Sequence, residues 1–260
     1  MEKITARENQ NIKRVVRLMG SKEARTESGQ FVAEGLKLCA EALAGGVVIN
    51  ELYCTEALLK KHPQQLAALC EGARLCYLIT DDIAGKLADT VTPQGVYAVC
   101  ALPQNTLEEN SLPKGRYLAL DSLQDPGNLG TILRSADAFG IDAVILTDDC
   151  PDVFSPKVLR ATMGSALRVK TCRTSGLAGL LKRLAPTHVT YAATLGENAL
   201  SLGKCSLNGS VIVVVGSEAR GISADVVNAC NSSIIIDMHG GAESLNAAVA
   251  ASIILWEMSK

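Results

Sequence analysis

With 260 residues, 48% hydrophobic and 20% charged side chains, the chain can build one large domain or two small ones around a true core. A net charge of −2 excludes nucleic-acid binding by bulk charge alone, and 3% aromatics leave little for a base-stacking platform. Nine cysteines with no CxxC pair argue against a zinc site or disulfide framework; no metal is expected, and buried thiols in a reducing cytosol fit better.

The opening MEKITARENQ has no apolar stretch of the kind a secretory signal needs. No apolar run reaches the ~20 residues of a membrane span. A cytoplasmic protein with no membrane partner is expected. Residues 1–25 carry Lys3, Arg7, Lys13, Arg14, Arg17, Lys22 and Arg25 against Glu2, Glu8 and Glu23. Such an arm can track phosphates, which makes Lys13, Arg14, Arg17, Lys22 and Arg25 candidate nucleic-acid contacts. A solvated helix face accounts for the same charges.

In chain order, the spacing of Ile12, Val15, Val16 and Met19 predicts a helix over 8–19. A strand at 31–34 leads through Gly35 into a helix at 36–43. Strands follow at 47–54, 74–80 and 95–102, with helices at 63–72 and 81–89 between them. Strands alternating with helices make residues 1–102 a small α/β domain. Residues 103–115, with two prolines and few apolar side chains, read as a linker.

Alternation restarts over 116–260. Strands are expected at 116–121, 142–147, 166–170, 188–194, 211–215 and 233–237. Helices are expected at 128–140, 155–162 and 177–184. VIVVV (Val211–Val215) is the most apolar strand, as when helices cover both faces of a parallel sheet. The last element, LNAAVAASIILW (Leu245–Trp256), is apolar on nearly every side, so it is expected to be buried all round. The fold class read from this pattern is α/β, doubly wound in the second half.

Three polar loops leave strands at the carboxyl edge, where open α/β sheets bind ligands. The first, DSLQDPGNLGTILRSADAFG (Asp121–Gly140), holds Asn128, well placed to cap the helix, and Arg134, which could be a surface cation. The second is VVGSEARGIS (Val214–Ser223); it lacks the Lys-Ser/Thr of a phosphate loop and is no GxSxG elbow. The third, Asp237–Asn246, carries Glu243, Ser244 and Asn246 beside two glycines that could equally serve a tight turn. No GxGxxG follows a strand, which argues against a dinucleotide-binding dehydrogenase.

Together and in order, these loops resemble the three motifs of the SpoU/TrmH group of SPOUT RNA methyltransferases: N-x-G-x-x-x-R, G-S-E-x-x-G and S-L-N. FVAEGLKLCAEAL (Phe31–Leu43) and TPQGVYAV (Thr92–Val99) resemble the family's N-terminal substrate-binding domain. The resemblance implies a C-terminal trefoil-knot domain, S-adenosylmethionine as cofactor, and a homodimer with the last helix at its interface. It implies methyl transfer to a ribose 2′-hydroxyl of RNA, ribosomal RNA being favoured over transfer RNA. A non-catalytic RNA-binding relative is the competing reading.

By the same resemblance Thr194, Gly216, Ile236, Met238 and Leu245 would hold the cofactor. Arg134 would activate the nucleophile, with Asn128, Glu218, Ser244 and Asn246 positioning ribose and loops. A guanidinium stays protonated, so a phosphate and oxyanion clamp suits Arg134 better than a base. Two departures stand out. Ile236-Asp237-Met238 replaces the family's usual Ile-Pro-Met, and Ala247-Ala248 its Val-Ser. His239, beside the third loop, reads as structural or solvent-facing.

Overall fold

The computed structural model describes residues 1–89, 92–195 and 199–260. The first elements in chain order are β1 (Glu2–Ile4), α1 (Gln10–Gly20), α2 (Lys22–Ser28), β2 (Gln30–Glu34), α3 (Leu36–Ala44) and β3 (Ile49–Thr55). Then come α4 (Glu56–Lys61), α5 (Pro63–Gly72), β4 (Ala73–Ile79), α6 (Asp81–Leu87), β5 (Val96–Ala101) and β6 (Thr106–Leu107). They continue with β7 (Arg116–Asp121), α7 (Pro126–Phe139), β8 (Ala143–Thr147), α8 (Pro156–Thr162), β9 (Thr171–Thr174), α9 (Leu177–Leu184) and β10 (Val189–Ala193). The last are β11 (Leu200–Ser201), β12 (Val211–Gly216), α10 (Ala224–Ala229), β13 (Ser232–Ile235) and α11 (Ala247–Met258).

The chain forms two compact units, Met1–Gln104 with Asp152–Leu167, and Asn105–Pro151 with Arg168–Lys260. In the first, a five-stranded sheet runs in the order β1-β4-β3-β5-β2, with β5 antiparallel to both neighbours. On α1, capped by the Asn9 side chain, Ile12, Val15 and Leu18 are buried, as their spacing predicts. The helix α8 was read with the second half of the chain, yet it belongs to this unit. Val158 and Leu159 are buried on it, and Phe154 just before it meets the Phe31 ring at 5.1 Å. Strand–helix alternation cannot register which sheet a helix covers.

The second unit is an eight-stranded, all-parallel sheet in the order β11-β13-β10-β12-β7-β8-β9-β6. Its central strand β12 is buried from Val211 to Val215, which explains the unbroken apolar run. Two expectations change here. The segment read as a linker supplies β6, an edge strand parallel to β9, and a 3-10 turn at Glu109–Ser111. The strand expected at 166–170 is instead a 3-10 turn, Ser165–Leu167, and pairing starts at Thr171. Met163 and Gly164 both have positive φ, which bends the chain before the turn.

The last helix also departs from expectation. Ala247, Ala248, Ala251, Ile254, Leu255 and Met258 are buried, where α11 packs against α7. Val249, Ile253 and Trp256, however, are 48%, 36% and 53% exposed. Uniformly apolar composition hides this stripe, because an exposed apolar face looks the same in sequence as a buried one. Among the described residues, no helix is long and apolar enough to cross a membrane.

Candidate active site

The first loop leaves β7 and enters α7. The cap of that helix is Asp125, whose carboxylate accepts the Asn128 amide at 2.7 Å. Asn128 therefore sits inside the first turn rather than capping it, and its side chain is released for other work. Its Nδ2 donates to Glu218 in the second loop, and its Oδ1 accepts from Asn246 Nδ2 at 3.1 Å. Asn246 caps α11, taking the amides of Ala248 and Val249 at 2.9 and 3.3 Å. One hydrogen-bonded trio thus ties three loops that lie far apart in the chain. Arg134, further along α7, is exposed and makes no hydrogen bond or ion pair among the described residues. Neither it nor Ser244 touches the trio through a hydrogen bond.

A cavity of about 160 Å³ opens beside these loops, walled by Ile234, Ile235, Ile236, Leu245 and Ile254, with Thr194, Glu243 and Ser244 supplying polar groups. Met238 also lines it. Four of the five residues expected at the cofactor are therefore on this wall. Gly216 is not. A Cβ there would collide with the backbone of Gly221 and Ile222, where Ser217 and Gly221 pair across a tight turn. The glycine is required by its own loop. Gly216→Ala is expected to cost about 1–3 kcal/mol through this overpacking, read as a shifted urea midpoint.

The donor set suits S-adenosylmethionine. The apolar walls would suit an adenine ring and a carbon chain, and the carboxylate and hydroxyls at Glu243, Ser244 and Thr194 would suit its polar groups. Asp237, in place of the family's usual proline, is exposed, and its carboxylate accepts the Ser201 hydroxyl. This bond ties the loop by a side chain where proline would stiffen the backbone. Asp237→Ala is expected to weaken S-adenosylmethionine binding by about 1 kcal/mol, roughly fivefold, in calorimetry.

Two positioning groups escaped the sequence reading. Asp121, 5% exposed, accepts Ser223 N at 2.8 Å and Ser223 Oγ at 2.9 Å, joining the first loop to the second. Thr147 Oγ1 accepts the amide of Ser122, a residue with φ of 58°. The Thr147 hydroxyl also holds the Asp149 carboxyl below its ordinary pKa. An acid at a strand's end was the one available signal for Asp121; nothing local marks Thr147.

In the first unit the basic arm is largely compensated. Lys13 pairs with Glu8 at 2.9 Å and Arg17 with Glu27 at 3.5 Å; Arg14 pairs with Glu51 and donates to Gln30. Lys22 is exposed with no ion pair among the described residues. Arg25 is a correction: it is 5% exposed, paired with Asp152 at 2.6 Å, and donates to the Leu18 and Met19 carbonyls at 2.6 and 3.1 Å. It cannot reach a nucleic acid.

The family model described as SpoU rRNA Methylase family matches residues 115–256, and one described as MRM3-like substrate binding domain matches residues 9–98. The 23S rRNA (guanosine(2553)-2′-O)-methyltransferase RlmP of Bacillus subtilis (strain 168) is 33% identical over 258 residues, spanning 99% of each chain. A putative RNA methyltransferase of the TrmH family from Porphyromonas gingivalis superposes at TM-score 0.82 with 33% identity, covering 97% of this chain and 98% of that one. An AdoMet-bound rRNA methyltransferase from Sinorhizobium meliloti does so at TM-score 0.82 with 28% identity, over 99% and 97% of the two chains. The two-unit α/β fold and the three-loop site define a SPOUT-type methyltransferase. The chain belongs to the SpoU rRNA methylase family.

Proposed function

We propose that this protein transfers the methyl group of S-adenosylmethionine to a ribose 2′-hydroxyl of ribosomal RNA. The observation that carries the reading is the trio Asn128, Glu218 and Asn246, which locks three motif loops together with Asn246 next in the chain to the cavity residue Leu245. The cofactor supplies a methyl group already activated on a sulfonium sulfur. What the chain must do is align and activate the nucleophile.

Thr194, Ile236, Met238 and Leu245 wall the cofactor cavity and exclude water, and Gly216 lets the second loop close on itself. Arg134, exposed and uncommitted, clamps the phosphate beside the target ribose and stabilises negative charge developing on the 2′-oxygen. Ser244, on the cavity wall, orients the ribose. The first unit holds the RNA, with Lys13, Arg14, Arg17 and Lys22 as its candidate phosphate contacts, all but Lys22 exchanging an intramolecular partner to do so. Ribosomal RNA is favoured over transfer RNA because the Bacillus subtilis relative is named for 23S rRNA. The place of action in this reading is the cytoplasm, and the C-terminal segment is threaded as a trefoil knot.

The reading includes a homodimer through the exposed stripe Val249, Ile253 and Trp256, which with Thr131 lines a shallow apolar hollow. Ile253→Asp is expected to convert a dimer to a monomer in sedimentation velocity. A wild-type monomer at micromolar concentration would remove the dimer from the proposal.

The deciding experiment is methyl transfer from radiolabelled S-adenosylmethionine to total RNA from a strain lacking the gene, separated by size. Label recovered as 2′-O-methylnucleoside in ribosomal RNA is expected. Label in transfer RNA would keep the chemistry and overturn the substrate. Cofactor binding without label in either fraction would favour a non-catalytic RNA-binding protein.

A further inference from the structure

The strand edge beside the catalytic loop is braced by an arginine that no motif contains. Arg173, on β9, is half-buried beneath the loop that follows β8. Its Nη1 lies 3.3 Å from the Thr147 carbonyl and 3.4 Å from those of Asp148 and Cys150, and its Nη2 donates to the Pro151 carbonyl at 2.8 Å. One planar, permanently charged fork thus gathers four carbonyls of a single turn.

That turn in turn holds the first motif loop. Thr147 Oγ1 accepts the Ser122 amide at 2.9 Å and lies 2.5 Å from Asp149 Oδ1, while Cys150 Sγ reaches the Leu120 carbonyl at 3.5 Å. Ser122 adopts a left-handed conformation, with φ of 58°, that a residue bearing a Cβ takes only when its surroundings impose it. Three residues on, Asp125 caps α7, the helix that carries Asn128 and Arg134. The chain of contacts runs from Arg173 through the 147–151 turn to Ser122 and so to the start of the catalytic helix.

We propose that Arg173 is a positioning residue for methyl transfer, fixing the Ser122 loop and thereby the placement of Asn128 and Arg134, without contributing to cofactor binding. The inference deepens the proposed activity and rests on it for its kinetic arm. Its selectivity follows from the sheet. Arg173 acts across β9, β8 and β7, whereas the cofactor cavity is built around β10, β13 and α11 on the other side of β12. Misplacing reacting groups by about an ångström can cost on the order of a hundredfold in rate, so the brace has leverage on the chemistry alone.

The test compares wild type with Arg173→Ala and Arg173→Lys, and with Thr147→Val, which removes the acceptor for the Ser122 amide by a second route. Four quantities are read: kcat and KM on RNA, the Kd for S-adenosylmethionine, and hydrogen exchange of the peptide spanning 120–128. For Arg173→Ala and Thr147→Val, kcat is expected to fall by roughly tenfold or more, with Kd within twofold of wild type. Exchange across 120–128 should quicken while that across 234–246 is unchanged. Arg173→Lys, which keeps the charge and loses the fork, should fall between. Unchanged kcat and exchange in both variants would overturn the proposal, as would a loss of cofactor affinity parallel to the loss of kcat. The exchange arm needs no turnover, so a wild-type protein inactive on every RNA would refute the proposed activity while leaving the brace itself tested.

Discussion

Arg134→Lys is expected to lower methyl transfer by on the order of a hundredfold to a thousandfold, the usual effect of removing a preorganised donor from a developing oxyanion. The expectation follows from geometry. Arg134 is exposed on α7, the helix that also carries Asn128 in its first turn, and has no intramolecular partner among the described residues. A cation left uncommitted next to a locked catalytic loop is available to substrate. Lysine preserves the charge but not the planar fork that spans a phosphate and an adjacent oxygen. Arg134 is also absent from the wall of the cofactor cavity, so the Kd for S-adenosylmethionine should stay within twofold of wild type. Near-normal turnover of Arg134→Lys would show that point charge suffices and would remove the clamp from the mechanism.

Arg25→Ala should lower unfolding free energy by about 3 kcal/mol, the cost of stranding a buried partner charge. Arg25 lies in a pocket made by its own unit. Its side chain is 6% exposed, against 17% for that of Asp152, and its guanidinium also satisfies two carbonyls at the end of α1. Urea titration reads the loss directly, and the fall should reverse in part with Arg25→Ala/Asp152→Ala, where neither charge is left alone. RNA affinity of the folded variant should match wild type. Lys22→Ala is the contrast: its exposed, unpaired ammonium should leave stability unchanged and reduce the salt dependence of RNA binding by about one ion. If Arg25→Ala instead weakened RNA binding with stability intact, the buried assignment would be wrong.

These two arginines show what could be read from the chain alone and what could not. Arg134 was singled out because its spacing from Asn128 matches a motif, and motif spacing survives folding when both residues lie on one helix, as they do on α7. The apolar runs in β7, β8 and β12 likewise announced a parallel sheet buried on both faces, since such strands have no solvent side to mark with polar residues. The contents of the three loops were legible for the same local reason, and the motif resemblance pointed to Thr194, Ile236, Met238 and Leu245 on the cavity wall.

Tertiary structure decided the rest. Arg25 counted as one of seven charges in a basic arm until folding placed Asp152, 127 residues away, against it. Val249, Ile253 and Trp256 are indistinguishable in hydropathy from their buried neighbours on α11, and only packing against α7 chose which face stays exposed. That the loop itself requires glycine at 216 shows only once the backbone of Gly221 and Ile222 is seen to occupy the space a Cβ would take. The four carbonyls gathered by Arg173 come from backbone groups, which every residue possesses and no sequence distinguishes. Periodicity and motif spacing therefore determined the class of fold and the candidate residues for the chemistry, because both are written within single elements. Which charges are spent on the protein itself, which apolar face is left over and what braces the catalytic loop are long-range pairings, and only the folded chain decides them.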